Sequence, residues 1–444
     1  MKRAVSLVLV VSMIVACLFL SVSTTRSATP SVRRFVIEAR SGQQSFTVVK
    51  GTTRVAARFP AGALPVVTSR GASLPLRAVL EAAGGSVRFE KAQNTVYFAL
   101  GPIAGAYEFK TGTFVDSRYT SSVRKDLMRR VGSTGVLYVD TALLAALVTT
   151  SGDGQTFGVK VTDGKATITM DLPAVVKDVL GNELPTFPAK AGTMRLVTLA
   201  PNLAEDCFAL GQGSNIIATS EYTDYPAEAR KIPTVGAFSS PSLERLLVLS
   251  PDLILVARGT PREVVDRLQK MGRNVYVEDP TTVLQVVDAI RTLSIVIGVP
   301  DRGFELALSM RRAVDRVAAA ARLLRSRPSV YVEIWNSPLM SAGKNTFLSD
   351  LIALAGGYNI GDDTDSEWPV LSEEFIIAHN PDVIVVGSGM GAGEVTTRPT
   401  FSTISAVKRG HVYDILGDLV FRPSPRLIQG LELIAGYVQA AAQP

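Results

Sequence analysis

Cysteine, histidine and tryptophan are almost missing from this chain: its 444 residues carry two of each. Cys17 lies in the apolar N-terminal run and the other cysteine is Cys207, so no internal disulfide survives removal of that run. An oxidising compartment is allowed but not exploited. His379 and His411 stand alone rather than at ligand spacing, which excludes a metal cluster of histidine and cysteine and leaves each at most as a single ligand. Charge is thin as well, with Asp, Glu, Lys and Arg at 19% of residues and a formal net charge of +6. The basic residues are dispersed and not interleaved with aromatics, so no nucleic-acid face is present. No nucleophile, base and orienting acid recur at a recognisable spacing, which argues against an enzyme. The one glycine-rich stretch, Gly387-Ser388-Gly389-Met390-Gly391-Ala392-Gly393, does not lead into a convincing helix. It reads as a mobile surface loop rather than a phosphate cradle.

What the chain does have is an apolar content of 47%, enough to rule out wholesale disorder, and a length that suggests roughly two to four domains. Met1-Lys2-Arg3 precedes an apolar run from Ala4 to Leu20, and Ser21-Val22-Ser23 offers small residues for cleavage. Residues 1–28 therefore read as a signal peptide, and the protein is expected to be exported. Ile14-Val15-Ala16-Cys17 is similar to a lipobox, so a lipid anchor on Cys17 is the alternative to plain secretion.

The pattern that organises the rest occurs twice. Residues 243–256 and 373–386 align without a gap, matching Glu244 to Glu374, Leu246 to Ile376, and Pro251-Asp252 to Pro381-Asp382. Each copy is a short amphipathic helix, a Pro-Asp turn and an apolar run just long enough for a buried parallel strand. The fold class expected is α/β, with two similar lobes over residues 194–300 and 327–444. Between them, residues 301–326 contain one early glycine and no proline, which predicts a single helix of about 25 residues, roughly 37 Å long. One stiff helix between lobes implies small lobe motions. Residues 186–193 form a linker by their proline and glycine, and residues 34–185 differ in pattern from the two lobes. There Val87 to Tyr97 lies over Val159 to Thr169, and helix-like patches at 76–83 and 139–146 precede them, giving a smaller α+β domain of two repeats.

Leu74-Pro75-Leu76-Arg77-Ala78-Val79, with Gly85-Ser86-Val87-Arg88-Phe89 and Asn94-Thr95-Val96, resembles the stalk-like domain named after the N-terminus of copper amine oxidases. Residues 34–185 contain no histidine or cysteine with which to hold copper. The resemblance implies a spacer or a cell-envelope contact; a packing domain with no partner of its own fits equally well.

Residues 194–444 carry Leu196-Val197-Thr198-Leu199-Ala200-Pro201-Asn202, Glu221-Tyr222-Thr223-Asp224-Tyr225-Pro226, Trp368-Pro369, and Arg422-Pro423-Ser424-Pro425-Arg426 in order. This region resembles the substrate-binding proteins of ABC importers for vitamin B12, iron-siderophores and haem. The resemblance implies a helical-backbone fold, a bulky metal-chelate cargo held between the lobes, a permease dimer as partner and no cofactor of the protein's own. Pro201 and Asn202 follow the first strand, where loops and helix N-termini gather ligands in parallel sheets. Tyr222, Phe238, Trp335 and Trp368 sit beside loop signals, and broad rings are what a flat, partly apolar cargo needs. Spacing alone lets such rings cover the core instead; the resemblance selects the ligand role. It also assigns Arg422 to the cargo rim and the pair Glu244 and Glu374 to permease arginines, although a glutamate in a first turn also complements the helix dipole. Arg258 follows Ala257, where the B12-binding pattern often has an aromatic, so one wall is expected to be open. Cobalamin or a related corrinoid is the cargo expected, a ferric siderophore or haem the nearest alternative, and an envelope adhesion protein the reading from a different class.

Overall fold

The computed structural model describes residues 32–443, apart from stretches 124–127, 132–135, 146–155 and 186–193 and scattered single or paired positions between 51 and 174. The signal peptide over 1–28, Cys17 and the linker lie outside the described residues.

The repeated Pro-Asp motif builds both lobes in the same way. Ser242 and Ser372 cap the helices Leu243–Leu249 and Glu373–His379, their hydroxyls accepting from the N–H of Arg245 and Phe375. Ser250 and Asn380 then enter the left-handed region at φ 43° and 44°, which ends each helix. After the turn, Asp252 Oδ2 accepts from the Arg195 N–H at 2.8 Å, and Asp382 Oδ2 accepts from the Ser329 N–H at 2.9 Å. In each lobe the aspartate therefore pins the start of the central strand beside its neighbour in the sheet. The resulting parallel sheets have matching order: Ile216–Thr219, Leu196–Thr198, Leu253–Ala257, Val275–Glu278 in lobe one, and Tyr358–Asn359, Ser329–Glu333, Val383–Val386, Val412–Asp414 in lobe two.

The helix Pro300–Ala321 joins them, opening with proline in its first turn. It stops short of the expected 326. Pro328 disfavours a helical Arg327, and Leu324 folds back toward Gly356 and Ala321, so the chain has turned before the next strand begins. Its early glycine has a packing reason: a Cβ on Gly303 would lie 1.8 Å from Ser294 Oγ on the helix Val283–Val296. A single buried cluster runs from Leu196 and Leu253 through Ile290, Ala307 and Met310 to Val332, Leu351 and Leu431, so the two lobes share one core across this helix.

The N-terminal domain is antiparallel. Each repeat is a strand, a helical segment and a hairpin: Gly71–Pro75, Leu76–Ala83, then Ser86–Glu90 with Thr95–Leu100; and Val136–Asp140, helical positions from Thr141, then Thr156–Thr162 with Lys165–Pro173. The second helix-like patch thus starts two residues later than expected, because Val139 and Asp140 pair with Leu74 and Ser73 as strand, and its end at 146 lies outside the described residues. The domain is seated on the connecting helix rather than standing free. Tyr119 stacks on Phe304 with centroids 5.6 Å apart, Leu308 packs with Tyr97, Ala104 and Val115, and Arg88 ion-pairs with Asp301 and Glu305.

Candidate functional site

The C-terminal ends of the two sheets face a cavity of about 280 Å³ lined from both lobes. From lobe one come Pro201 and Asn202 at the start of the helix Pro201–Ala209, Phe238 from a loop, Ala257 and Arg258 at the end of the third strand, and Glu278 and Asp279 at the end of the fourth. Lobe two contributes Thr346 and Phe347 at the start of the helix Phe347–Leu354, Trp368, and Phe421 with Arg422. Glycines let the rings take these positions. A Cβ on Gly259, whose φ is +96°, would meet the Phe238 ring at 2.7 Å, and one on Gly387 would meet Phe421 at 2.4 Å. The second contact gives the glycine-rich stretch a packing role in place of a phosphate-binding one. The stretch also opens a short helix, Ala392–Thr396, contrary to the reading of it as all loop, since the Ala392 N–H is held by Asp414 Oδ1.

Of the candidate residues, Pro201, Asn202, Phe238, Arg258, Trp368 and Arg422 meet at this cavity. Tyr222 stands one ring away, edge-on to Phe238 at 5.9 Å and 54% exposed. Trp335 does not line the cavity. It is 55% exposed and its indole N–H donates to Ser337 O at 2.9 Å, because Trp335–Asn336 pairs with Leu339–Met340 as a small hairpin of its own. Phe347 and Phe421 escaped the sequence reading; Phe347 packs edge-on to Trp368 with centroids 6.4 Å apart. A capping threonine before Phe347 and an Arg-Pro pair after Phe421 were the available signals. Neither histidine lines the cavity: the His379 ring contacts Phe375 O at 2.7 Å and Asp363 at 3.1 Å.

The two cavity arginines are committed to carboxylates. Arg258 Nη2 lies 2.8 Å from Glu367 Oε2 in the other lobe, and its Nε lies 3.4 Å from Asp279 Oδ1. Arg422 Nη1 donates to Glu205 Oε1 at 3.0 Å and to Asp224 Oδ1 at 2.7 Å, while its Nη2 pairs with Asp418 at 3.0 Å. Arg426 adds two bonds to Glu205 and covers the Tyr225 ring at 3.8 Å. Arg422 thus lines the cavity and also joins the lobes through buried Glu205, so its donors are shared with Glu205, Asp224 and Asp418. Asn202 likewise turns inward, its Nδ2 donating to Glu278 Oε1 at 2.7 Å. Burial raises the Glu278 pKa to about 8 and lifts Asp206 well above the usual carboxylate range, with Glu278 and Glu205 adding like charge beside Asp206.

Glu244 and Glu374 are exposed in matching first turns, and neither forms an ion pair among the described residues. Its own backbone N–H and Ser372 hold the Glu374 carboxyl below its ordinary value.

Residues 196–419 match the family model described as periplasmic binding protein. The vitamin B12-binding protein of Yersinia pestis (strain Pestoides F) is 33% identical over 210 residues, covering 47% of this chain and 74% of that protein. The chain belongs to the periplasmic binding protein family. Among solved structures, this periplasmic binding protein is similar to the vitamin B12-binding protein BtuF of Vibrio cholerae, with TM-score 0.54 and 26% identity over 57% of this chain and 100% of that one. It is also similar to the haem-binding protein RhuT of Roseiflexus sp. RS-1, with TM-score 0.52 and 26% identity over 57% of this chain and 100% of that one. The matched cleft belongs to a class of exported transport components. Residues 34–185 lie outside the family match, and no helix among the described residues is long and apolar enough to cross a membrane.

Proposed function

We propose that this protein is the extracytoplasmic substrate-binding component of an ABC importer, that it captures cobalamin or a related corrinoid between its lobes, and that it delivers this cargo to a permease dimer. The observation that carries the reading is the cavity walled by Phe238, Phe347, Trp368 and Phe421 between two lobes of matched topology. Broad rings with a few fixed polar groups suit a large flat ligand. At about 280 Å³ the cavity is smaller than ligand pockets usually are, roughly 300–1,000 Å³, so cargo entry has to widen it by separating Arg258 from Glu367. Ferric siderophores and haem are the second reading, favoured by the likeness to RhuT. Glu244 and Glu374 fit a two-point acidic key for basic permease residues, which sets orientation and encounter rate. The N-terminal domain, with its resemblance to copper amine oxidase stalks, acts as a spacer braced on the connecting helix, and Cys17 is the candidate lipid anchor at the outer face of the membrane.

Titration of tryptophan fluorescence with cobalamin tests the reading. Saturable quenching is expected, with Phe238→Ala and Trp368→Ala each weakening affinity by about tenfold or more, one decade being about 1.4 kcal/mol. Trp335→Ala is expected to change affinity by less than about threefold. No quenching at saturating cobalamin would remove the corrinoid reading.

A further inference from the structure

The polar atoms left over in the cleft say what kind of cargo edge it accepts. Among the described residues, Arg258 and Arg422 are the only cations lining the cavity, and each already faces at least two carboxylates. The buried cavity atoms without a hydrogen bond are on acids. Glu278 is 3% exposed, its Oε1 takes the Asn202 amide N–H, and its Oε2 has no hydrogen-bond partner among the described residues. Asp279, the next residue on the same strand end, has its Oδ1 buried without a hydrogen bond, at ion-pair distance from Arg258. A buried polar atom without a partner is costly and a bound partner relieves that cost: Glu278, which keeps its proton at neutral pH, offers Oε2 as an O–H donor, and Asp279 offers an acceptor.

We infer, resting on the cleft-binding reading above, that Glu278 and Asp279 select the cargo by its side-chain amides: an amide on the rim of a macrocycle offers its C=O to Glu278 and its N–H to Asp279, and a rim of carboxylates, which has no N–H to offer Asp279, is refused. Corrinoids carry side-chain amides around the ring. Haem carries two carboxylates, which would enter beside these acids and would have to displace Glu367 or Asp279 from Arg258 to find a cation. The placement supports this on both lobes, since Glu367 brings a third carboxylate to the mouth of the cleft.

Calorimetry on the exported chain tests it with cobalamin, with cobalamin monocarboxylates in which one side-chain amide has been hydrolysed, and with haemin. The wild-type protein is expected to bind cobalamin, to bind at least one monocarboxylate isomer about tenfold or more weakly, and to bind haemin weakest of all. Glu278→Ala and Asp279→Ala are expected to lose about tenfold for cobalamin, and Glu278→Gln, which keeps a neutral hydrogen-bonding group, to stay within about threefold. The monocarboxylate comparison uses the unaltered protein and so does not depend on a variant folding. Equal affinity for cobalamin and every monocarboxylate, or haemin tighter than cobalamin, overturns the inference while leaving a cleft-binding protein; failure to bind any corrinoid overturns the reading beneath it.

Discussion

Asp206 is fully buried next to Glu205, and no donor among the described residues reaches either of its oxygens. Burial and the carboxyls of Glu278 and Glu205 hold its proton on, and burial does the same for Glu278, whose pKa rises from 4.5 to about 8. A folded pKa raised above the unfolded one contributes stability that is complete below the unfolded value and is lost as pH rises through the folded value. The melting temperature is therefore expected to fall as pH rises from about 5 through about 8, and Asp206→Asn to flatten that fall. Scanning calorimetry across that range checks it; an unchanged slope in the variant contradicts the assignment. The same residues mark the limit of what could be read from sequence. Loop signals pointed to Phe238 and Trp368 because ring types beside turns are visible in a chain. The outward hairpin of Trp335 depends on local pairing, and the capture of Arg422 by Glu205 joins residues 217 positions apart, which no spacing reveals.

At the scale of elements, the Pro-Asp repeat was legible because both consequences are local: a helix stop at Ser250 or Asn380, and an aspartate reaching a strand start in a parallel sheet. The length of the connecting helix was less so, since its end is set by where Leu324 packs rather than by any residue in 322–326 with poor helix propensity. Its glycine was visible but its reason was not. At Gly303 an added methyl group meets Ser294 across the helix pair, so Gly303→Ala is expected to cost about 1–3 kcal/mol despite the better helix propensity of alanine. Urea midpoints at unchanged slope would measure that loss, and a stabilised variant would show that the two helices do not touch there.

At the scale of the molecule, the two lobes are neither independent nor loosely hinged. They share a core through Ile290, Ala307 and Met310, Glu205 binds Arg422 and Arg426 between them, and the N-terminal domain presses Tyr119 and Arg88 onto the helix that joins them. The two-lobe plan was readable from an internal repeat. The seat of the N-terminal domain was not, because it rests on contacts between residues near 88–119 and 301–308 that carry no shared pattern. A molecule braced in this way admits cargo by small displacement at the mouth, where Arg258 meets Glu367. The most direct measurement is anomalous diffraction at the cobalt edge from crystals of the exported chain grown with cobalamin. A single cobalt between Phe238 and Trp368, with Arg258 and Glu367 drawn apart, is the expected result; a cobalt peak elsewhere on the surface, or none at saturating cobalamin, contradicts the account.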